Sequence, residues 1–101
     1  MKYQVIVNIK ARIDLEHIFE YVTLELKNPY AAMNIYYEIS SAISSLDEFP
    51  ERFVEAKGFS GIHKRNVGKY IIYYSIDKEK QIVTVVRILY SGVDINQVAI
   101  N

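Results

Sequence analysis

The residues able to do chemistry gather in the second half of the chain. The stretch KYIIYYSID sets Tyr70, Tyr73 and Tyr74 in one apolar run directly after Lys69. Lys57, His63, Lys64 and Arg65 stand upstream of it, and Arg87 and Tyr90 downstream. Tyrosines so placed are either reactive groups on a catalytic surface, where a side chain moves a proton, or large side chains that fill a sheet. The phenols are poorly matched to the proton transfer, because an unpaired tyrosine has a pKa of about 10 and is a weak base at neutral pH. On an extended strand Tyr70 and Tyr74 share one face while Tyr73 points to the other. The three therefore do not form one catalytic surface. Filling a sheet with large side chains is the reading that the aromatic preference for strands favours.

The remaining candidates are weighed in the same way. Lys57, Lys64, Arg65 and Lys69, with Tyr70 beside them, read as a cationic partner-binding cluster around a strand entrance. The structural counterpart is a solvated strand edge, where lysine deters edge-to-edge pairing. Arg87 lies among apolar neighbours in VVRIL, which points to an internal ion pair with a carboxylate over an exposed position. His17 sits between Glu16 and Ile18 with no histidine or cysteine at ligand spacing, so no metal site is expected. No cofactor is implied. Glu51 and Glu55 flank an irregular loop without an acid partner and read as loop solvation. Asp94 reads as the cap of a terminal turn.

Composition bounds what these groups can serve. The chain has 101 residues, half of them apolar, which suits one compact domain over residues 1–101 with a real core. Twelve Lys and Arg balance twelve Asp and Glu. A domain held on nucleic acid mainly through phosphates is usually clearly basic, and this one lacks that global footprint. The absence of cysteine excludes disulfides, thiolate nucleophiles and cysteine metal sites. The opening MKYQVIVNIKARIDLE is no signal peptide, and no apolar run approaches the ~20 residues of a membrane span. A soluble, cytoplasmic protein is expected.

The elements that must position the candidates follow from pattern. Residues 3–7 (YQVIV) read as a strand. Asn8 caps a helix in which Ala11, Leu15, Ile18 and Val22 recur on one face, widened by Phe19 and Leu26. Lys27-Asn28-Pro29 stops that helix and starts another, with Asn28 as cap and Pro29 in the first turn. Ala32, Ile35, Ile39, Ala42 and Leu46 give the second helix its buried face, and Pro50 ends it. So short a link predicts an antiparallel helical hairpin. Residues 51–61 are irregular. Residues 63–67 and 70–76 read as strands, and residues 82–89 (IVTVVRIL) as a central strand covered on both faces. Residues 94–101 are either a helical turn or disordered. The expected fold is α+β, in the order β-α-α-β-β-β: an N-terminal strand, an antiparallel helical hairpin, then a mostly antiparallel β-sheet.

Four segments in this order and spacing, ARIDLEHIFEYV, NPYAAMNIYYEISSAISSL before FP, KYIIYYSID and IVTVVRILYSGVD, resemble the RelE/ParE superfamily of bacterial toxins. The resemblance runs over nearly the whole chain. It implies the toxin half of a type II toxin–antitoxin pair, often described as a plasmid stabilisation protein, with a cognate antitoxin as partner. RelE-like members cut messenger RNA in the ribosome. ParE-like members inhibit DNA gyrase and so arrest growth. In the nuclease branch an arginine opens the strand reading R-apolar-apolar-Tyr, and a basic cluster such as HRR or GKR follows the last strand. Here the matching segments are Tyr70-Ile71-Ile72-Tyr73 and Tyr90-Ser91-Gly92, without a cation at either place. The resemblance thus implies a ParE-like, non-enzymatic gyrase inhibitor with no catalytic residues. The alternative is a ribosome-dependent endoribonuclease using Arg65, Arg87, Tyr90 and Lys64. A third reading is a degenerate toxin that binds only its antitoxin.

Overall fold

A computed structural model describes residues 2–100. Strand β1 (Gln4–Val7) leads into helix α1 (Ile9–Glu20), followed by helix α2 (Pro29–Ser44) and strands β2 (Ile62–Val67), β3 (Tyr70–Asp77) and β4 (Ile82–Tyr90). The strands form one mixed sheet in the order β1-β4-β3-β2, with β1 parallel to β4 and the other two pairings antiparallel. The α+β architecture and its element order are those the sequence predicts. β4 is central, as its continuous apolar run requires.

Local signals explain the helix boundaries. The Asn8 side chain accepts from the Ala11 N–H at 3.0 Å, and that of Asn28 from the Ala31 N–H at 3.1 Å. Each satisfies a donor that the first turn of a helix leaves free. The helices pack on one face of the sheet. Ala11, Ile39, Ala42, Ile43 and Leu46 bury against Ile72, Tyr74, Val83, Val85 and Ile88. The opposite face carries a second apolar cluster of Ala56, Ile71, Tyr73, Val86 and Leu89. It is covered by Phe59 and Ile62 from the preceding loop and strand, and by Ile95, Val98 and Ile100 from the C-terminal segment.

Two expectations change. The first helix does not run on as a regular α-helix: residues Tyr21–Glu25 form a π-helical turn, with the Leu26 N–H bonded to the Tyr21 carbonyl at 3.2 Å. The added residue per turn rotates the buried stripe out of phase, so Leu26, expected in the core, is 57% exposed while Val22 stays buried. The irregular stretch before β2 also has more order than its composition suggests. It holds a 3₁₀ turn over Pro50–Arg52 and a bridge between Glu55 and His63. The C-terminal segment resolves into a 3₁₀ turn, Ile95–Gln97, capped by Asp94, whose side chain accepts from the Asn96 N–H. Asn101 lies outside the described residues.

Candidate functional site

The cationic residues singled out in the sequence do not converge. β2 pairs with β3 so that Lys64 stands opposite Tyr73 and Arg65 opposite Ile72. Adjacent side chains on a strand point to opposite faces. Lys64 therefore accompanies the second apolar cluster, and Arg65 faces the helices. There Arg65 donates to the Ser45 hydroxyl and, at 3.3 Å, to the Ala42 carbonyl, closing the C-terminal end of α2. Its guanidinium also lies 4.7 Å from the centre of the Phe53 ring. Burial, and then the neighbouring Arg52, lower its pKa. Lys57 is exposed in the loop before β2, and Lys69 is exposed in the turn between β2 and β3.

Arg87 sits at a bulge. Tyr73 pairs with Arg87 and Tyr74 with Val85, which leaves Val86 as an extra residue in β4. β1 has ended by this point: the Asn8 N–H donates to the Val85 carbonyl, and the chain turns into α1. Among the described residues no strand lies beside the rest of that edge of β4. Asp14 of α1 takes the strand's place. Its carboxylate accepts from the Ile88 backbone N–H at 2.9 Å and from Arg87 Nε and Nη2 at 2.7 and 2.8 Å. The third nitrogen, Nη1, donates to the Ala99 carbonyl at 2.8 Å. The pair is 16% and 11% exposed, and the hydrogen bonds to Asp14 raise the Arg87 pKa. The carboxylate partner that the sequence demanded for Arg87 is thus Asp14. A signal was available: Asp14 lies between Ala11, Leu15 and Ile18 on the stripe that should be apolar.

The tyrosines of β3 are mostly packing groups. Tyr74 is fully buried, stacks on His63 with ring centres 5.4 Å apart, and donates its hydroxyl to the Pro50 carbonyl at 2.5 Å. Burial pushes its pKa up to about 12. Tyr73 is buried in the second cluster, which also raises its pKa. Tyr70 is half-buried, edge-on to the exposed Tyr90 with ring centres 6.1 Å apart. Its pKa is raised by burial first, then by Tyr21 and Tyr90. None of the three phenols is poised as a base. Exposed apolar side chains on the helical hairpin, which the sequence reading did not single out, include Tyr30, Met33 and Tyr37. Among the described residues no group of three or more His, Cys, Asp or Glu converges as a metal site, and no helix is long and apolar enough to cross a membrane.

A family profile described as the ParE toxin of the type II toxin–antitoxin system parDE matches residues 5–94. The chain belongs to the ParE toxin family. No curated protein matches it at a significant level. This ParE-family chain is similar in fold to a chain of the chromosomal ParDE system from P. aeruginosa (TM-score 0.73, 16% identity, covering 88% of this chain and 96% of that one). It is also similar to a chain of the RelBE2 toxin–antitoxin complex from Mycobacterium tuberculosis (TM-score 0.63, 22% identity, covering 89% and 92%). A third likeness is to the archaeal RelE–RelB complex from Pyrococcus horikoshii (TM-score 0.63, 17% identity, covering 93% and 100%). Both branches of the superfamily share this fold, so the fold alone does not choose between their activities.

Proposed function

We propose that this ParE-family toxin acts by binding: DNA gyrase is its target, a cognate antitoxin its obligate partner, and the bacterial cytoplasm its place of action. The observation that carries the reading is the separation of Arg65 from Arg87. Phosphoryl transfer needs preorganised positive charge on one surface, and loss of a single such donor typically costs about a hundred- to a thousand-fold in rate. Arg65, on the helical face of β2, is committed to the end of α2, and Arg87, opposite Tyr73 on β4, to Asp14 and Ala99. Tyr70 and Ser91 stand where the nuclease branch carries cations. The C-terminal segment also lies across the sheet face opposite the helices. These features favour the gyrase reading over a messenger-RNA endonuclease.

The test is induced expression followed by a supercoiling assay with purified gyrase and primer extension on a message held in ribosomes. Blocked supercoiling with intact message is the expected result. Discrete cuts at the A-site codon, abolished by Arg65→Ala or Arg87→Ala, would replace the proposal with the nuclease reading. Growth that is unaffected, with antitoxin binding retained, would leave the degenerate toxin. Co-expression with the adjacent small gene is expected to yield a stable complex and to relieve growth arrest.

A further inference from the structure

One end of the molecule differs from the rest of its surface. There the π-helical turn over Tyr21–Glu25 meets the turn between β2 and β3 and the end of β4. π-helical turns are rare and gather at functional sites. This one holds the Thr23 hydroxyl, the only buried side-chain polar atom among the described residues without a hydrogen-bond partner. Between the turn and the sheet lies a cleft of about 350 Å³, whose apolar lining includes Val22, Leu26, Ile35, Val67 and Tyr70. Lys69 borders it from the β2–β3 turn and Glu38 from α2.

Beside the cleft stands an aromatic group that is both exposed and held in place. Tyr90 is 52% exposed, yet its ring lies edge-on to Tyr70 and close over Gly92. A Cβ added at Gly92 would come 2.7 Å from that ring, so the glycine is what lets the ring lie there. The turn beneath is closed by the Ser91 N–H donating to the Lys69 carbonyl at 2.8 Å. An aromatic side chain ordered before a partner arrives loses little entropy on binding, and tyrosines of this kind dominate interfaces. Tyr21, also exposed, lies close enough to influence Tyr70. Burial raises the Tyr70 pKa, so its hydroxyl is kept as a donor. Among the described residues Lys69 makes no ion pair.

We propose that this end is a docking surface for an acidic segment of a partner protein, which places one apolar side chain in the cleft and a neighbouring carboxylate on the Tyr70 and Tyr90 hydroxyls and the Lys69 ammonium. Protein is favoured over nucleic acid because the cleft is mainly apolar and the chain carries no excess positive charge. Glu38 restricts the acidic groups of the segment to the β3 side. The inference rests on the binding reading above and narrows the partner's chemistry. It also separates Lys69 and Tyr70 from Lys57, Lys64 and Arg65, with which the sequence grouped them.

The test is a titration of the isotopically labelled full chain, followed by NMR, with an acetylated octapeptide of alternating leucine and glutamate. A leucine–lysine counterpart and a short oligothymidylate serve as the other arms. The expected result is shifts of the Gly68 and Lys69 amides and the Tyr70 and Tyr90 rings with the acidic peptide alone. Lys69→Glu and Leu26→Ser should each weaken binding about tenfold or more, while Lys57→Glu leaves it unchanged. Leu26 is exposed, so its loss does not threaten the fold. Equal response to the lysine peptide, or shifts away from the cleft, would overturn the proposal. Preference for the oligonucleotide would make the surface one for phosphate. Peptide binding without gyrase inhibition would remove the target and leave the surface. Gyrase inhibition without peptide binding would do the reverse.

Discussion

The two faces of the sheet are covered on different terms. On the helical face two amphipathic helices, each fixed by an asparagine cap, bury Ile39, Leu46, Ile72, Tyr74, Val83 and Val85 completely. On the other face, Ile71, Tyr73, Val86 and Leu89 lie under a loop and a C-terminal segment whose own apolar residues there, Ala56 apart, are only half-buried. The helical face supplies the bulk of the burial free energy, which scales with apolar area removed from water. The opposite face is the thinner closure. Arg87 connects them, since a single guanidinium holds both α1 and the C-terminal segment.

The contrast can be broken by mutation. Ile39→Ala should destabilise by about 2–5 kcal/mol, because it opens a cavity in the fully buried cluster. Denaturant unfolding measures this, and a loss under about 1 kcal/mol would remove the distinction between the faces. Asp14→Ala should cost about 2–3 kcal/mol. It strands the Arg87 charge and the Ile88 N–H together, and partners of charged groups carry more than neutral ones. Hydrogen exchange should then show the C-terminal amides loosening with those of α1. If only one of the two responds, Arg87 does not connect them.

Tyr74→Phe should cost about 1 kcal/mol, by leaving the Pro50 carbonyl without its donor. It also carries a pH signature. The folded pKa of about 12 lies above the ordinary value of 10.0, so folding favours the protonated phenol. That contribution is complete below about pH 10 and is lost as pH rises through about 12. The wild type should therefore lose stability more steeply than Tyr74→Phe across this window, and parallel curves would refute the assignment. Val98→Ala, on the thin closure, should cost only about 0.5–1 kcal/mol while increasing binding of a hydrophobic dye. An effect as large as that of Ile39→Ala would make the two faces equivalent.

What was legible in the sequence was what local chemistry decides. Asn8, Asn28 and Pro29 announced the helix starts because capping needs only three neighbouring residues. The unbroken apolar run of β4 announced its central place. Other features depend on partners distant in sequence. Strand alternation parts Lys64 from Arg65, but which face each of them takes is set by the register of β2 on β3. The pairing of Arg87 with Asp14 follows from where β1 stops, which leaves an edge of β4 for α1 to satisfy. Leu26 misled because its spacing fits an α-helix, and the change to a π-helical turn moved it outward. The exposed end formed by Tyr21, Tyr70 and Tyr90 joins three separate elements and has no contiguous motif to betray it.

The parallel pairing of β1 with β4 also has a consequence in time. Residues 4–7 find their partners at 82–85, so the first strand is synthesised long before the strand it must join exists. At about 5–20 residues per second, the interval is on the order of four to sixteen seconds. Throughout it the sheet cannot close, because the central strand arrives last. The helical hairpin, whose contacts are local, is free to form meanwhile. The nascent chain thus has no completed sheet until residues 82–90 have emerged.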